Sequence, residues 1–474
     1  MLDRTQNPVP VGGFDKTIRW WDGVAITLSL PAALFVGLGY SMGAIGAWAA
    51  TALWALIAAV AALHNWLYSE MGAMFSHKSG GIALYANEAW RARIPALGPL
   101  ATYAYWFAWA TAPAIWGLAV SQILTEQFWP EAAFVVDLGI LRLDLAQLIA
   151  LGVALVSWAL SMIELRFTLV LIILAGVLLM IPVAIFGSGA FASPSWGVAS
   201  FTWRVPAGLE GLRTVLAWLF VMAWSAYAVE AAASFIPEYR DTVRDTRKAL
   251  RISALVLLSV FTLTPLGLAG LLGEATLADH PNGFLQAGAQ ALLGGGAAAM
   301  TLVLIAGILV LSVIGTADAA RALYQSARDG LTIRQFGVLN RHGVPARAVT
   351  TQLAINVALV LFVGNALAVI VAGNVGYVLA HLLAVAGFIV LRKDQPDTPR
   401  PIHLGRGWVA VAVCLTLFDG LILVVGITSA AITGYGSFKE VAIAIAVLAI
   451  SQVMYRWRKL QDRGHSRPIA DGRH

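Results

Sequence analysis

Long uncharged runs alternate with short polar stretches along the whole chain, at lengths that predict membrane-crossing helices. A helical span needs about 20 mostly apolar residues. Twelve such runs are read, at roughly 22–44, 47–70, 97–126, 145–163, 167–189, 212–235, 250–273, 294–325, 347–364, 366–391, 408–430 and 437–456. A dozen such segments folded into a soluble core would leave little polar surface to face water. The pattern therefore predicts an all-α integral membrane protein of about twelve transmembrane helices. Residues 1–21 form a polar N-terminal segment, 22–456 one membrane domain, and 457–474 a polar tail. Between the spans, residues 127–144, 190–211 and 274–293 are expected as longer loops on the face opposite the termini, and 431–436 as a short one. None is long enough for a separate soluble domain.

Composition agrees. The 474 residues are 59% hydrophobic and 12% charged, with a mean hydropathy of +0.79; a soluble domain carries roughly 25% charged residues. Of the 31 Lys and Arg, only Arg142, Arg204, Arg213 and Lys439 fall on the face opposite the termini. The positive-inside rule then puts both termini in the cytoplasm, with the protein in the cell membrane. The high pI reflects orientation in a bilayer, and no nucleic-acid partner is expected. The tail "YRWRKLQDRGHSRPIADGRH" reads as a solvated end. The lone Cys414 excludes a disulfide within the chain. The first twenty residues lack the apolar core of a cleavable signal peptide.

Soluble-enzyme motifs are missing: no P-loop, HExxH, CxxC pair or dinucleotide fingerprint occurs. No cofactor, metal or ATP-driven step is expected, so energy must come from ion or substrate gradients. Two spans interrupt themselves. In "AITLSLPAALFVGLGYSMG", residues 25–43, Pro31 lacks an N–H and clashes with the preceding turn. In "LAWLFVMAWSAYAVEAAASFIPEYRD", residues 216–241, Glu230 stands alone in an apolar stretch. These are spans 1 and 6, five apart, and interrupted spans at corresponding positions of two repeats point to a midplane binding site. Broken helices offer N–H groups to carboxylates and carbonyl oxygens to cations, the two ends of an amino acid.

Four stretches carry a family resemblance. "YSEMGAMFSHKSGGIALYANEAW", residues 68–90, is similar to the span 2–3 hairpin of the amino acid–polyamine–organocation transporters: an aromatic-small-Glu triplet, then Ser-Gly-Gly, then aromatics. "YAVEAAASFIPEYRDTVRDTRKAL", residues 227–250, resembles their span 6 and following loop, with a Glu and a second acid eight residues on. "ARALYQSARDG", residues 320–330, resembles the loop after span 8, and "LRKDQPDTPRPIHLG", residues 391–405, the basic loop after span 10. The matches occur in order across nearly the whole chain. The family usually has Gly-Ser-Gly-Ile in the span 1 break, where this chain has "SLPAALF". It has Gly two residues before the span 6 Glu, where this chain has Ala228, and Asn-Pro after span 6, where this chain has Asp241-Thr242.

The resemblance implies a five-plus-five inverted repeat, about 22–189 and 212–391, plus two extra helices at about 408–456, with spans 1 and 6 unwound. It implies secondary transport of amino acids or related organic amines by alternating access. The substrate would lie at Ser29, Leu30, Pro31, Ala32 and Ala33 of span 1 and at Trp224, Ser225 and Tyr227 of span 6, with Tyr105 of span 3 as a wall. In a relative, the aromatic matching Trp224 stacks on the substrate; core packing is the other reading. Tyr103 and Trp106, near Tyr105, read better as packing aromatics. Glu230 would gate or couple protons; an ionisable group within a span costs at least ~2.5–3.5 kcal/mol on insertion scales. The other reading is a hydrogen-bonded structural Glu. Glu70, ending span 2, would order the cytoplasmic gate through a salt bridge.

His64, Asn65 and His381 read as hydrogen-bonded interior residues without metal-ligand spacing, and His64 is placed toward the cytoplasmic end of span 2. Ser312 and Thr316, four apart on one face of span 8, are the candidates for a sodium site, or simply permit close packing. Proton coupling, sodium coupling and exchange stay open, as do a monomer or homodimer. Three rivals are carried: a polyamine or organic-cation transporter or exchanger of the same fold, a membrane enzyme using Glu230 and His64 as acid and base, and a channel, which broken helices with aromatics suit less well than they suit occlusion.

Overall fold

A computed structural model describes residues 16, 18–78, 80–131, 134–137, 139, 142–163 and 168–465. The first fifteen residues, Ser79, the start of the predicted fifth span at Phe167, and the tail from 466 lie outside the described residues. Among the described residues twelve spans follow one another. They are Trp20–Ile45, Ala47–Met74, Leu97–Phe128, Leu145–Ser161, Thr168–Ser188, Gly208–Glu238, Thr242–Leu272, Ala297–Arg328, Ala346–Phe362, Ala366–Asp394, Gly407–Thr428 and Phe438–His465. Spans 4 and 9 have 17 residues each, the lower limit for crossing the hydrocarbon.

Side chains fix several starts. Asp144 accepts from Gln147 N at 2.7 Å, while Gln147 Oε1 accepts from Asp144 N at 3.1 Å, a reciprocal cap on span 4. Asp241 accepts from Val243 N and Arg244 N at the head of span 7, and Asn365 caps span 10 through Ala368 N. Span 3 is bent where Leu97–Ala110 gives way to Ala112–Phe128, with Pro113 just inside the second half.

Span 6 is the most enclosed of the ten longer spans, followed by spans 1 and 3 at 83% each. For span 6, 89% of the apolar window is buried, against 33% for span 11 and 22% for span 12. Spans 2, 10 and 11 pack on span 6, and spans 5 and 7 pack on span 1. Some linkers carry structure that hydropathy does not signal. A helix at Gly81–Trp90 joins spans 2 and 3. The loop before span 4 holds an antiparallel hairpin, Val135–Asp137 with Arg142–Asp144. The loop after span 7 holds helices at Glu274–Asp279 and Phe284–Leu293. All are too short to register as spans.

Glu274 ties that last loop down. It accepts from Ala47 N and Thr202 N, each at 2.8 Å, and from Thr202 Oγ1 at 2.7 Å, and it pairs with Arg204. Ala47 is the first residue of span 2, so this carboxylate also caps a helix from outside it.

Candidate substrate site between spans 1 and 6

Both expected interruptions have a definite geometry. Span 1 runs as α-helix over Trp20–Thr27, tightens to a 3₁₀ turn at Leu30–Ala33, and resumes at Leu34–Ile45. Pro31 has no N–H, and Ala32 N turns inward to Ser29 O at 3.4 Å. Leu34 N likewise bonds Pro31 O and Ala32 O, so the interruption keeps much of its donor capacity to itself. Span 6 changes from α-helix at Gly208–Tyr227 to 3₁₀-helix at Ala228–Glu238. Eleven residues of 3₁₀ are unusual, since runs beyond three or four are uncommon and often mark a hinge. The change falls after Tyr227, and Glu230 lies one turn into the 3₁₀ segment. Ser225 Oγ donates to Ala33 O at 3.0 Å, joining the two interruptions directly.

A cavity lies beside that joint. Leu30 and Ala33 of span 1, Trp224 of span 6, Trp109 and Trp116 of span 3 and Tyr377 of span 10 form most of its wall. It encloses about 410 Å³ between their atoms, but only about 20 Å³ is open to the centre of a water molecule. Trp116 and Trp224 meet with ring centroids 5.6 Å apart. Of the residues that the sequence points to, Leu30, Ala33 and Trp224 reach this wall. Ser29, Pro31, Ala32 and Ser225 lie just behind it, Tyr105 packs on Tyr377 at 6.2 Å, and Tyr227 turns the other way. Trp109, Trp116 and Tyr377 go unnoticed in the sequence. Trp109 and Trp116 are seven residues apart, two turns of one helix face, which is the available signal. Trp116 also lines a smaller gap with Ala32, Phe35 and Asn282 toward the face opposite the termini, where Glu126, Asp144 and His280 border an open depression.

Glu230 sits beneath the cavity, buried. Tyr377 Oη donates to Glu230 Oε1 at 3.1 Å, and Tyr105 and Trp109 flank the carboxyl. The Ser-Gly-Gly motif explains itself here. Gly81 has φ +52, and a Cβ there would come within 2.6 Å of Ser234 Oγ and 3.6 Å of Glu230 Oε2. Only glycine lets the helix at Gly81–Trp90 approach the 3₁₀ segment so closely.

A family model described as amino acid permease matches residues 18–453. The chain belongs to that family. No curated protein matches it.

The remaining polar residues of this permease fall into three groups. Behind Tyr227 lies a buried cluster. Tyr227 Oη donates to Asp419 Oδ1 at 2.7 Å, His64 Nε2 is 3.1 Å from Asp419 Oδ2, and Tyr68 Oη meets His381 Nδ1 at 2.7 Å. Asp419 belongs to span 11 and goes unremarked in the sequence reading, although a lone Asp in "VAVCLTLFDGLILVVG" is the same signal as Glu230. His64 lies past the middle of span 2, toward its Glu70 end, where its position in the sequence puts it. Its ring lies 4.7 Å from Tyr227, at the level of the helix change. Asn65 Nδ2 donates to Val229 O at 3.4 Å, also on the 3₁₀ segment.

Glu70 lies on the termini side. It pairs with Arg392 through Nε at 3.0 Å and Nη2 at 2.6 Å, stands 3.3 Å from Arg400 Nε, and accepts from Leu404 N at 2.8 Å. This buried carboxylate joins the end of span 2 to the loop after span 10. Tyr103 and Trp106 pack against each other at 5.4 Å, away from the cavity, and Tyr103 Oη meets Thr332 Oγ1 at 2.5 Å. Ser312 Oγ meets Ser157 Oγ of span 4 at 2.9 Å, and Thr316 Oγ1 donates to Ser312 O at 2.8 Å. Both hydroxyls are engaged between spans 4 and 8.

Proposed function

We propose that this permease is a secondary transporter of organic amines or amino acids, with substrate held between the interruptions of spans 1 and 6 and access alternating between the two faces of the cell membrane. The observation that carries the reading is the aromatic cavity at the joint of the two interrupted spans, with Glu230 beneath it. Aromatic faces attract a cation, and a carboxylate below offers a counter-charge. The inward-turned N–H groups around Pro31 favour recognition of the amine end over the carboxylate end. A five-plus-five inverted repeat, with both termini cytoplasmic, is the architecture that suits this mechanism.

Proton coupling through Glu230 is the preferred energy source. The engaged hydroxyls of Ser312 and Thr316 fit helix packing better than a sodium site. The enzyme reading loses its support, because the carboxylate beside His64 is Asp419, which already bonds Tyr227. The deciding experiment uses purified protein in proteoliposomes with matched pairs: an amino acid and the amine left when its carboxyl is removed, across aliphatic, aromatic and cationic side chains. Saturable uptake of at least one pair member, larger for the amine, supports the reading. Chemical conversion of the compound without accumulation supports an enzyme instead.

A further inference from the structure

The cluster behind Tyr227 adjoins the cavity wall and Glu230 through Tyr377, and its chemistry is unaccounted for. Four buried atoms in it lack an aligned hydrogen-bond partner: His64 Nδ1, His64 Nε2, His381 Nε2 and Asp419 Oδ2. His64 Nε2 and Asp419 Oδ2 are within ion-pair distance at 3.1 Å but are not in line for a hydrogen bond. Buried polar atoms are nearly always satisfied, so a group of four in one place needs a reason.

The surroundings are fully specified. From span 6, Tyr227 lies 4.7 Å from His64 ring to ring and bonds Asp419. From span 10, His381 lies 5.3 Å from His64 and 4.5 Å from Tyr227. From span 2 itself, Tyr68 stacks on His64 at 5.9 Å and reaches His381 Nδ1. From the helix at Gly81–Trp90, Tyr85 stands behind Tyr68 at 6.1 Å. From the 3₁₀ segment, Glu230 connects through Tyr377, whose ring is 4.7 Å from His381. Among the described residues no Lys or Arg contacts the cluster. A charged Asp419 therefore has no cation beside it unless an imidazole carries one.

We propose that His64 and Asp419 form a proton-binding site, distinct from Glu230, whose occupancy controls the α-to-3₁₀ change of span 6 through Tyr227. The balance is simple. Without the proton, neutral His64 faces the Asp419 carboxylate and the pair carries one negative charge. One proton from water gives imidazolium and carboxylate, with net charge zero and no covalent bond formed or broken. The uncharged sum tolerates the close packing seen here. The charged sum favours opening toward water, since an uncompensated buried charge is strongly destabilising. Opening must displace Tyr227, the last α-helical residue of span 6. The proposal does not depend on what the cavity binds.

The test needs no substrate; protons are the only probe. Protein in nanodiscs is compared over about pH 5–8, the range in which histidine switches. Hydrogen exchange in residues 224–238, corrected for intrinsic rates, reads the hinge, and ring ¹⁵N signals of histidine, assigned with His64→Gln, read the site. The wild type should show His64 titrating and roughly tenfold faster corrected exchange at the high end of the range. Asp419→Asn should shift the His64 titration and flatten the exchange profile. Tyr227→Phe should leave His64 titrating while the hinge no longer follows it. Glu230→Gln should retain both transitions. A wild-type His64 that stays in one state across the range overturns the proposal whatever the variants do, as does an unchanged exchange profile in folded Asp419→Asn. Loss of both transitions in Glu230→Gln assigns the proton to Glu230 instead and also overturns it.

Discussion

Glu230 and Trp224 act at the scale of single residues, and each can be removed with little disturbance of the rest. Glu230→Gln keeps the volume and the contact with Tyr377 but fixes the group in a neutral form. We expect substrate binding to persist and uptake in proteoliposomes to stop responding to an imposed proton gradient. A wild-type response to the gradient in that variant would leave Glu230 a structural residue. Trp224→Ala opens the cavity wall opposite Trp116. Calorimetric affinity should fall by roughly 1–3 kcal/mol, combining lost burial with the cation–π contribution. Glu274, outside the spans, titrates in a predictable sense. Burial pushes its carboxyl up, but the bonds from Ala47 N, Thr202 and Arg204 outweigh that and hold it below the ordinary value. A group depressed on folding stabilises the protein above its unfolded pKa, and that contribution is lost as pH falls through the folded value. Thermal stability should therefore drop on acidification, with a smaller drop in Glu274→Gln; equal slopes would remove Glu274 as the cause. Glu230 is legible in the sequence because a charge in an apolar run is conspicuous. Asp419 carries the same signal, yet its role depends on span 11 meeting spans 2 and 6, which no local pattern encodes.

Elements were legible where length and hydropathy decide them. Runs of about 20 apolar residues leave the backbone only helix as a way to satisfy itself in lipid, so the ends of most spans match their predicted ranges closely. The interruption of span 1 was legible through Pro31. The 3₁₀ form of Ala228–Glu238 was not, because "AVEAAASFIPE" has ordinary helix formers at most positions. The segment packs closely against its neighbours, with Gly81 leaving room beside Ser234 and Asn65 donating to Val229 O. Gly81→Ala tests that packing. The positive φ and the 2.6 Å approach to Ser234 Oγ should together cost roughly 1–3 kcal/mol. A melting temperature equal to wild type would show that the two elements can separate freely.

For the whole molecule, an even number of spans would put both ends on one face, and from the distribution of Lys and Arg we propose that this face is cytoplasmic. In a Cys414→Ser background, Arg341→Cys should react in intact cells only with permeant reagents and Arg213→Cys with impermeant ones; the reverse pattern would invert the topology. In the structure both faces are fastened, by Glu274 on one and by Glu70 with Arg392 on the other, and the cavity between them is narrow. The two interrupted spans also meet a third time, outside the cavity. Ile18 N donates to Glu238 O at 3.1 Å and Arg240 N to Ile18 O at 2.9 Å, so the end of span 6 is stitched to the chain just before span 1. A 3₁₀-helix rises about 2.0 Å per residue and an α-helix about 1.5 Å, so eleven residues that change form take in about 5.5 Å of chain. Were the segment to become α-helical, that stitch would draw in the head of span 1 by a comparable distance, passing movement along the backbone as a winch does along a cable.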